Sequence, residues 1–161
     1  MLRALGVIPA RYASTRFPGK PLAPLGNGSL LSAVWSKVAA SVRLTRVIVA
    51  TEDERIVDAC REYGAEAMLT SPVHASGTDR AAEVVRRAGE SFDVVVNIQG
   101  DEPFVTPTCL DALVAAFDGR PDLAMATLAE PLVREAARRA VESRAAAAAV
   151  ARHVTWREFR P

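Results

Sequence analysis

The chain has 161 residues, 50% of them hydrophobic and 24% charged, with a formal net charge of +1. That length suits one domain with a sizeable core rather than two, and the composition excludes an intrinsically disordered chain. The balance of 20 Lys and Arg against 19 Asp and Glu provides no bulk basic field for nucleic acid or an anionic membrane surface, and no apolar run approaches the roughly 20 residues of a membrane span.

The opening residues Met1 to Ile8 are apolar but too short for a signal segment. Leu5 to Pro9 is a short apolar run ending at proline, which predicts a first buried strand. Residues 10 to 29 are rich in proline, glycine and asparagine and are predicted to be loop. Ser29 is placed to cap a helix bearing Leu30, Leu31, Val34, Trp35 and Val38 on one face. Arg46 to Thr51, with Val47-Ile48-Val49 at its centre, is the second strand.

Asp53 caps the next helix, where Ile56, Ala59, Cys60 and Tyr63 recur at helical spacing before a stop at Gly64. Ala67 to Leu69 is the third strand, and Ser76 to Ala88 is a helix closed by Gly89. Val94 to Ile98 is the fourth strand. Thr106 with Pro107 behind it opens a helix whose inner stripe is Leu110, Leu113, Val114 and Phe117. Met125 to Leu128 is a fifth strand. Cys60 and Cys109 lie on helix faces far apart in sequence, so they are expected as reduced core or boundary thiols of a cytoplasmic protein, not as zinc or disulfide partners.

Residues 131–161 differ from the rest. They hold seven arginines against three glutamates, a charge of +4 set against −3 for residues 1–130, and five consecutive alanines at 145–149. The expected division is a domain over 1–130 followed by an Ala/Arg-rich, helical tail over 131–161. Buried strands alternating with amphipathic helices predict an α/β fold, three-layer αβα, with a mainly parallel Rossmann-like sheet. In such folds ligands bind beyond the carboxyl ends of the strands.

Chemistry-bearing residues follow the strands. After the first come Arg11, Arg16 and Lys20 among small residues, an arrangement suited to a phosphate chain. Neither a G-x-G-x-x-G turn nor a P-loop is present. Ahead of the third helix stands His74-Ala75-Ser76-Gly77-Thr78-Asp79-Arg80. Ser76 and Gly77 there either offer donors to an anion or form an ordinary cap with Asp79. His74 is expected as a loop hydrogen-bonder. After the fourth strand, Gln99 can address a base or sugar, and the carboxylate pair Asp101-Glu102 suggests Mg²⁺, which takes one or two carboxylates plus substrate phosphates.

These segments resemble a known family. The run from Val7 to Leu22, His74 to Arg80, and Val96 to Pro103 are similar, in order and spacing, to the three signatures of the 3-deoxy-manno-octulosonate (Kdo) cytidylyltransferases, or CMP-Kdo synthetases. CMP-sialic acid synthetases share the opening idea with a different loop and are the alternative. The resemblance covers about residues 5–130 and implies a sheet of the nucleotide-sugar transferase type. It implies the reaction of CTP and Kdo to CMP-Kdo and diphosphate, with Mg²⁺, for lipopolysaccharide synthesis.

Carried over by position, Arg11, Lys20 and Asp101 would be catalytic, with Asp101 on the metal. Pro9, Ala10, Arg11, Arg16, Lys20, Ser76, Gly77, Arg80 and Gln99 would bind the nucleotide. The expected partners are CTP and Kdo, and the family's homodimer, with no nucleic acid and no membrane. Beyond Leu128 no counterpart is found for the family's sugar site, second metal aspartate or most of its dimer contact, so a non-catalytic CTP- and Mg²⁺-binding remnant is the second expectation.

Overall fold

The structure, a computed structural model, describes residues 1–13 and 17–128, and the backbone of 153–157. Its main sheet contains β1 (Ala4–Pro9), β4 (Arg46–Thr51), β5 (Ala67–Leu69), β6 (Val94–Ile98), β7 (Met125–Thr127) and β8 (His153–Arg157). Their spatial order is β5-β4-β1-β6-β8-β7. The first four of these in space are mutually parallel, with Val7 opposite Ile48 on one side and Asn97 on the other. β8 runs antiparallel to both β6 and β7.

Side chains alternate across each strand, and the alternation builds two cores. Ala4, Ile8, Val49, Val94, Val96 and Ile98 point to one face. There they meet α1 (Leu30–Val38), α2 (Glu54–Glu62) and α4 (Pro107–Ala115) through residues such as Leu31, Val34, Ile56, Cys60, Leu110 and Val114. Leu5, Val7, Ile48, Ala50 and Val95 point to the other face, where Ala81 and Val84 of α3 (Gly77–Arg87) and Phe92 cover them. The expected three layers and mainly parallel sheet are therefore present.

Each expected helix start is present in chemical detail. Ser29, Asp53, Ser76 and Thr106 accept backbone N–H groups of Ser32, Arg55, Asp79 and Cys109 through their side chains. Among the described residues no helix is long and apolar enough to cross a membrane.

The structure corrects three expectations. Residues 10–29 are not all loop: Lys20–Leu22 forms a 3₁₀ turn, and β2 (Pro24–Leu25) pairs antiparallel with β3 (Gly28–Ser29) around Gly26 and Asn27, a Gly-Asn pair that suits a two-residue hairpin. Cys109 is exposed while Cys60 is fully buried, because the inward stripe of α4 passes through Leu110, Leu113 and Val114 instead. Most of the expected tail helix, including the alanine run, lies outside the described residues, but His153–Arg157 is strand. Its β-branched Val154 and Thr155 and aromatic Trp156 favour a pleated backbone. Because β8 lies in the same sheet as β1, residues 153–157 belong to the domain formed by 4–127.

Candidate active site

The carboxyl ends of β1 and β6 border a cleft of about 460 Å³ lined by Pro9, Ala10, Arg11, Ala13, Lys20, Pro21, Gly77, Gln99, Gly100 and Asp101. That volume is in the range of small-molecule sites. Among the expected residues it brings together Pro9, Ala10, Arg11, Lys20, Gly77, Gln99 and Asp101. Arg16 lies outside the described residues. Ala13, Pro21 and Gly100 also line the cleft but were not anticipated.

Gly100 carried a readable signal, since a glycine directly after a buried strand marks a close backbone approach. A Cβ at that position would stand 2.8 Å from the Pro9 carbonyl oxygen. Glycine there lets the exits of β6 and β1 run against each other and draws Asp101 towards the β1 loop.

Lys20 reaches Asp101 across that junction, Nζ to Oδ2 at 2.5 Å, with the two side chains 41% and 52% exposed. A cation and a carboxylate thus share one half-open rim. Arg11, exposed on the same loop, donates its guanidinium to the carbonyl oxygen of His74.

That carbonyl is itself pinned. Glu83 of α3 accepts from the Ser71 N–H at 2.9 Å and pairs with His74 Nε2 at 2.5 Å, and Arg87 bridges Glu83 to the Leu69 carbonyl. The bond with His74 above all, then that from Ser71, with Arg87 contributing, holds the Glu83 carboxyl down to about 2 from its ordinary 4.5. The charged or titratable groups facing it are His74, Arg87 and, more distantly, Arg80.

A carboxyl depressed in the fold contributes stability that is fully present above its ordinary value and is lost as pH falls towards its folded value. Glu83→Gln is therefore expected to cost about 1–3 kcal/mol at neutral pH. The gap to the unsubstituted chain is expected to narrow as pH falls from 4.5 towards 2. Urea midpoints at neutral pH and near pH 3 test this, and a gap that stays constant rejects the coupling.

Ser76 is committed to the helix. Its Oγ accepts the Asp79 N–H and donates to Asp79 Oδ2, which also accepts the Ser76 N–H. These bonds, the hydroxyl's first, lower the Asp79 carboxyl below its ordinary value. Of the two readings left open for this segment, the cap is formed, and it is Gly77 that lines the cleft.

Arg80 does not reach the cleft lining. It is fully buried, donating Nη1 to Thr70 Oγ1 and placing Nη2 2.9 Å from Glu52 Oε2. That contact is ionic rather than a hydrogen bond, because the geometry leaves Nη2 and Oε2 out of line. Burial, the dominant influence, lowers the guanidinium's pKa and Glu52 partly restores it. The group remains a cation at neutral pH.

Among the described residues that line the cleft, Asp101 is the one carboxylate. Among the described residues no cluster of three or more His, Cys, Asp or Glu could hold a metal alone. A single carboxylate on an open rim fits a hard divalent cation that takes its other oxygen ligands from a bound phosphate chain.

The matching family model is that of the cytidylyltransferases, over residues 5–154. The 3-deoxy-manno-octulosonate cytidylyltransferase of Pseudomonas fluorescens is 50% identical over 127 residues, covering 78% of this chain and 50% of that protein. The enzyme of the same name from Zea mays is 42% identical over 133 residues, covering 83% and 45%. The chain spans about half the length of these curated relatives. A solved structure of a CMP:2-keto-3-deoxy-manno-octonic acid synthetase complexed with CTP superposes with a TM-score of 0.82 at 28% identity, covering 96% of this chain and 74% of that one.

Proposed function

Because the chain belongs to the cytidylyltransferase family over residues 5–154, we propose that its cleft binds CTP and that it transfers the cytidylyl group to Kdo, releasing diphosphate. The observation that carries this reading is the meeting of Arg11, Lys20 and Asp101 at one sheet edge around a cleft of about 460 Å³. The names of the P. fluorescens and Zea mays relatives, and of the CTP-bound structure, support the choice of nucleotide and sugar acid.

In the proposed reaction the anomeric hydroxyl oxygen of Kdo forms a bond to the α-phosphorus of CTP. The bond from that phosphorus to the bridging oxygen breaks in line, diphosphate leaves, and the hydroxyl proton passes to solvent. Arg11 and Lys20 bind the triphosphate and neutralise charge developing on the leaving diphosphate. Arg16, outside the described residues, would add a third cation by the family resemblance. The Gly77 backbone approaches the phosphates at the start of α3, and Gln99 addresses the base or ribose. Asp101 would hold Mg²⁺, which when bound supplies charge neutralisation to the phosphates. The product would be the activated Kdo used in cytoplasmic lipopolysaccharide precursor synthesis.

Pyrophosphate release by the purified chain with CTP, Mg²⁺ and Kdo, alongside CTP binding by calorimetry, tests the proposal. Release that requires Kdo is the expected result. CTP binding without release would restrict the reading to nucleotide binding, and absence of both would reject it.

A further inference from the structure

The cleft's cations depend on a short neck. Arg11 and Lys20 flank Tyr12 and Gly19, and the Gly19 N–H donates to the Tyr12 carbonyl oxygen at 2.8 Å. That bond closes the loop at its base, so whatever fixes the neck fixes the separation of the two cations. Gly19 sits in the left-handed region at φ 72°, and a Cβ on it would come within 3.1 Å of Tyr12 Cζ. Arg55 also stacks on the Tyr12 ring, its guanidinium carbon 3.4 Å from the ring centroid.

One tie between the neck and the body of the protein is a carboxylate. Glu52, directly after β4, accepts the Tyr12 N–H through Oε1 at 3.0 Å. Its other oxygen, Oε2, faces the buried Arg80 at 2.9 Å, with the Glu52 side chain only 13% exposed. Arg80 is in turn held by Thr70, whose hydroxyl donates to the Thr51 carbonyl at 3.1 Å. Neither Glu52 nor Arg80 lines the cleft. A buried ion pair is costly to desolvate and is weak evidence for stability alone. Here one of its oxygens is committed to a loop N–H beside the two cations.

We propose that Glu52, set against Arg80, is a positioning residue that fixes the Tyr12–Gly19 neck and thereby the affinity of Arg11 and Lys20 for a triphosphate. The affinity half of this rests on the nucleotide reading above; the neck half does not. Glu52→Gln is the informative change. A glutamine can offer its carbonyl to the Tyr12 N–H only by turning its NH₂ on the Arg80 guanidinium, donor against donor, or the reverse. One of the two contacts is lost in either orientation.

The test uses hydrogen exchange of the Tyr12 and Gly19 amides together with calorimetric binding of inorganic tripolyphosphate and of CTP. Glu52→Gln is expected to speed exchange at both amides and weaken tripolyphosphate binding by about tenfold or more, the worth of one hydrogen bond to a charged acceptor. In the double variant Glu52→Gln/Arg80→Met the glutamine carbonyl faces Tyr12 without an opposing donor. Exchange and binding are expected to return to within about threefold of the original, a small fraction of that hydrogen bond. This variant, which has no unpaired buried cation, also serves if the single variant does not fold.

Unchanged exchange in folded Glu52→Gln overturns the positioning role whatever the ligand result. Restored exchange without restored binding in the double variant overturns the indirect role of Arg80 and makes it a direct ligand. If the unsubstituted chain binds neither tripolyphosphate nor CTP, the nucleotide reading and the affinity half fall together, while amide exchange still decides the neck.

Discussion

Lys20→Ala is expected to weaken CTP binding by about 10–100-fold, the loss of one charge-assisted bond to phosphate, and to lower diphosphate release by about 10²–10³-fold if Lys20 acts on developing charge. The thermal midpoint is expected to move little. The Lys20–Asp101 pair is half-exposed at both ends, and such pairs contribute about 0–1 kcal/mol. A folded variant with near-normal CTP affinity rejects the assignment.

Asp101 gives a sharper form of the same test, because its effect is expected to change sign. In EDTA, Asp101→Asn removes a negative charge from the cleft and frees Lys20 Nζ from its 2.5 Å partner, so CTP binds more tightly. With excess Mg²⁺ the same change removes the proposed metal ligand, so CTP binds more weakly and turnover falls. Titrations under both conditions decide it; a shift of the same sign in both rejects the metal role.

The largest stability effect is expected at Arg80. Truncation to alanine leaves the Glu52 carboxylate, 13% exposed, facing a cavity where a cation stood. Breaking a buried pair in this way costs about 3–5 kcal/mol, and lost packing of the aliphatic stem adds to it. For a domain of this size that corresponds to a fall of roughly 6–20 °C in the thermal midpoint. Scanning calorimetry checks it. A shift within about 2 °C, less than 1 kcal/mol on that scale, would mean that water replaces the guanidinium freely and that the site is less enclosed than its complete burial indicates.

Much of this was legible in the amino-acid order. Val94-Val95-Val96 and Val47-Ile48-Val49 are β-branched runs suited to strands covered on both faces, and they form β6 and β4, the interior strands that flank β1. Ser29, Asp53, Ser76 and Thr106 announce their helices by a local bond that needs no tertiary context. Arg11, Lys20, Gln99 and Asp101 were found because a parallel sheet exposes its loops at one end.

What escaped depends on contacts distant in sequence. Lys20 and Asp101 meet across 81 positions, and nothing local in either segment specifies that. Arg80 belongs to the same inward face of α3 as Ala81 and Val84; the resemblance placed it at the nucleotide, and only the fold sets it against Glu52. Glu52 follows β4 at the same strand-end edge as the other loops, but a lone glutamate after a strand carries no signature of its own. β8 was hidden because the Ala- and Arg-rich composition around it outweighed the short run of Val154, Thr155 and Trp156.

The position of β8 between β6 and β7 also constrains the order in which the protein can assemble. β7 leaves the ribosome before β8, yet among the described residues its backbone ladder is to β8 alone, in register from Met125 opposite Trp156 to Thr127 opposite Val154. The four parallel strands and their helices can form from residues 4–115 as they are synthesised. The antiparallel end of the sheet has to wait for residues 153–157, leaving one side of β6 an open template in the meantime. Closure of that edge therefore follows formation of the parallel strands, and until it occurs the nascent chain is exposed to pairing with a neighbour.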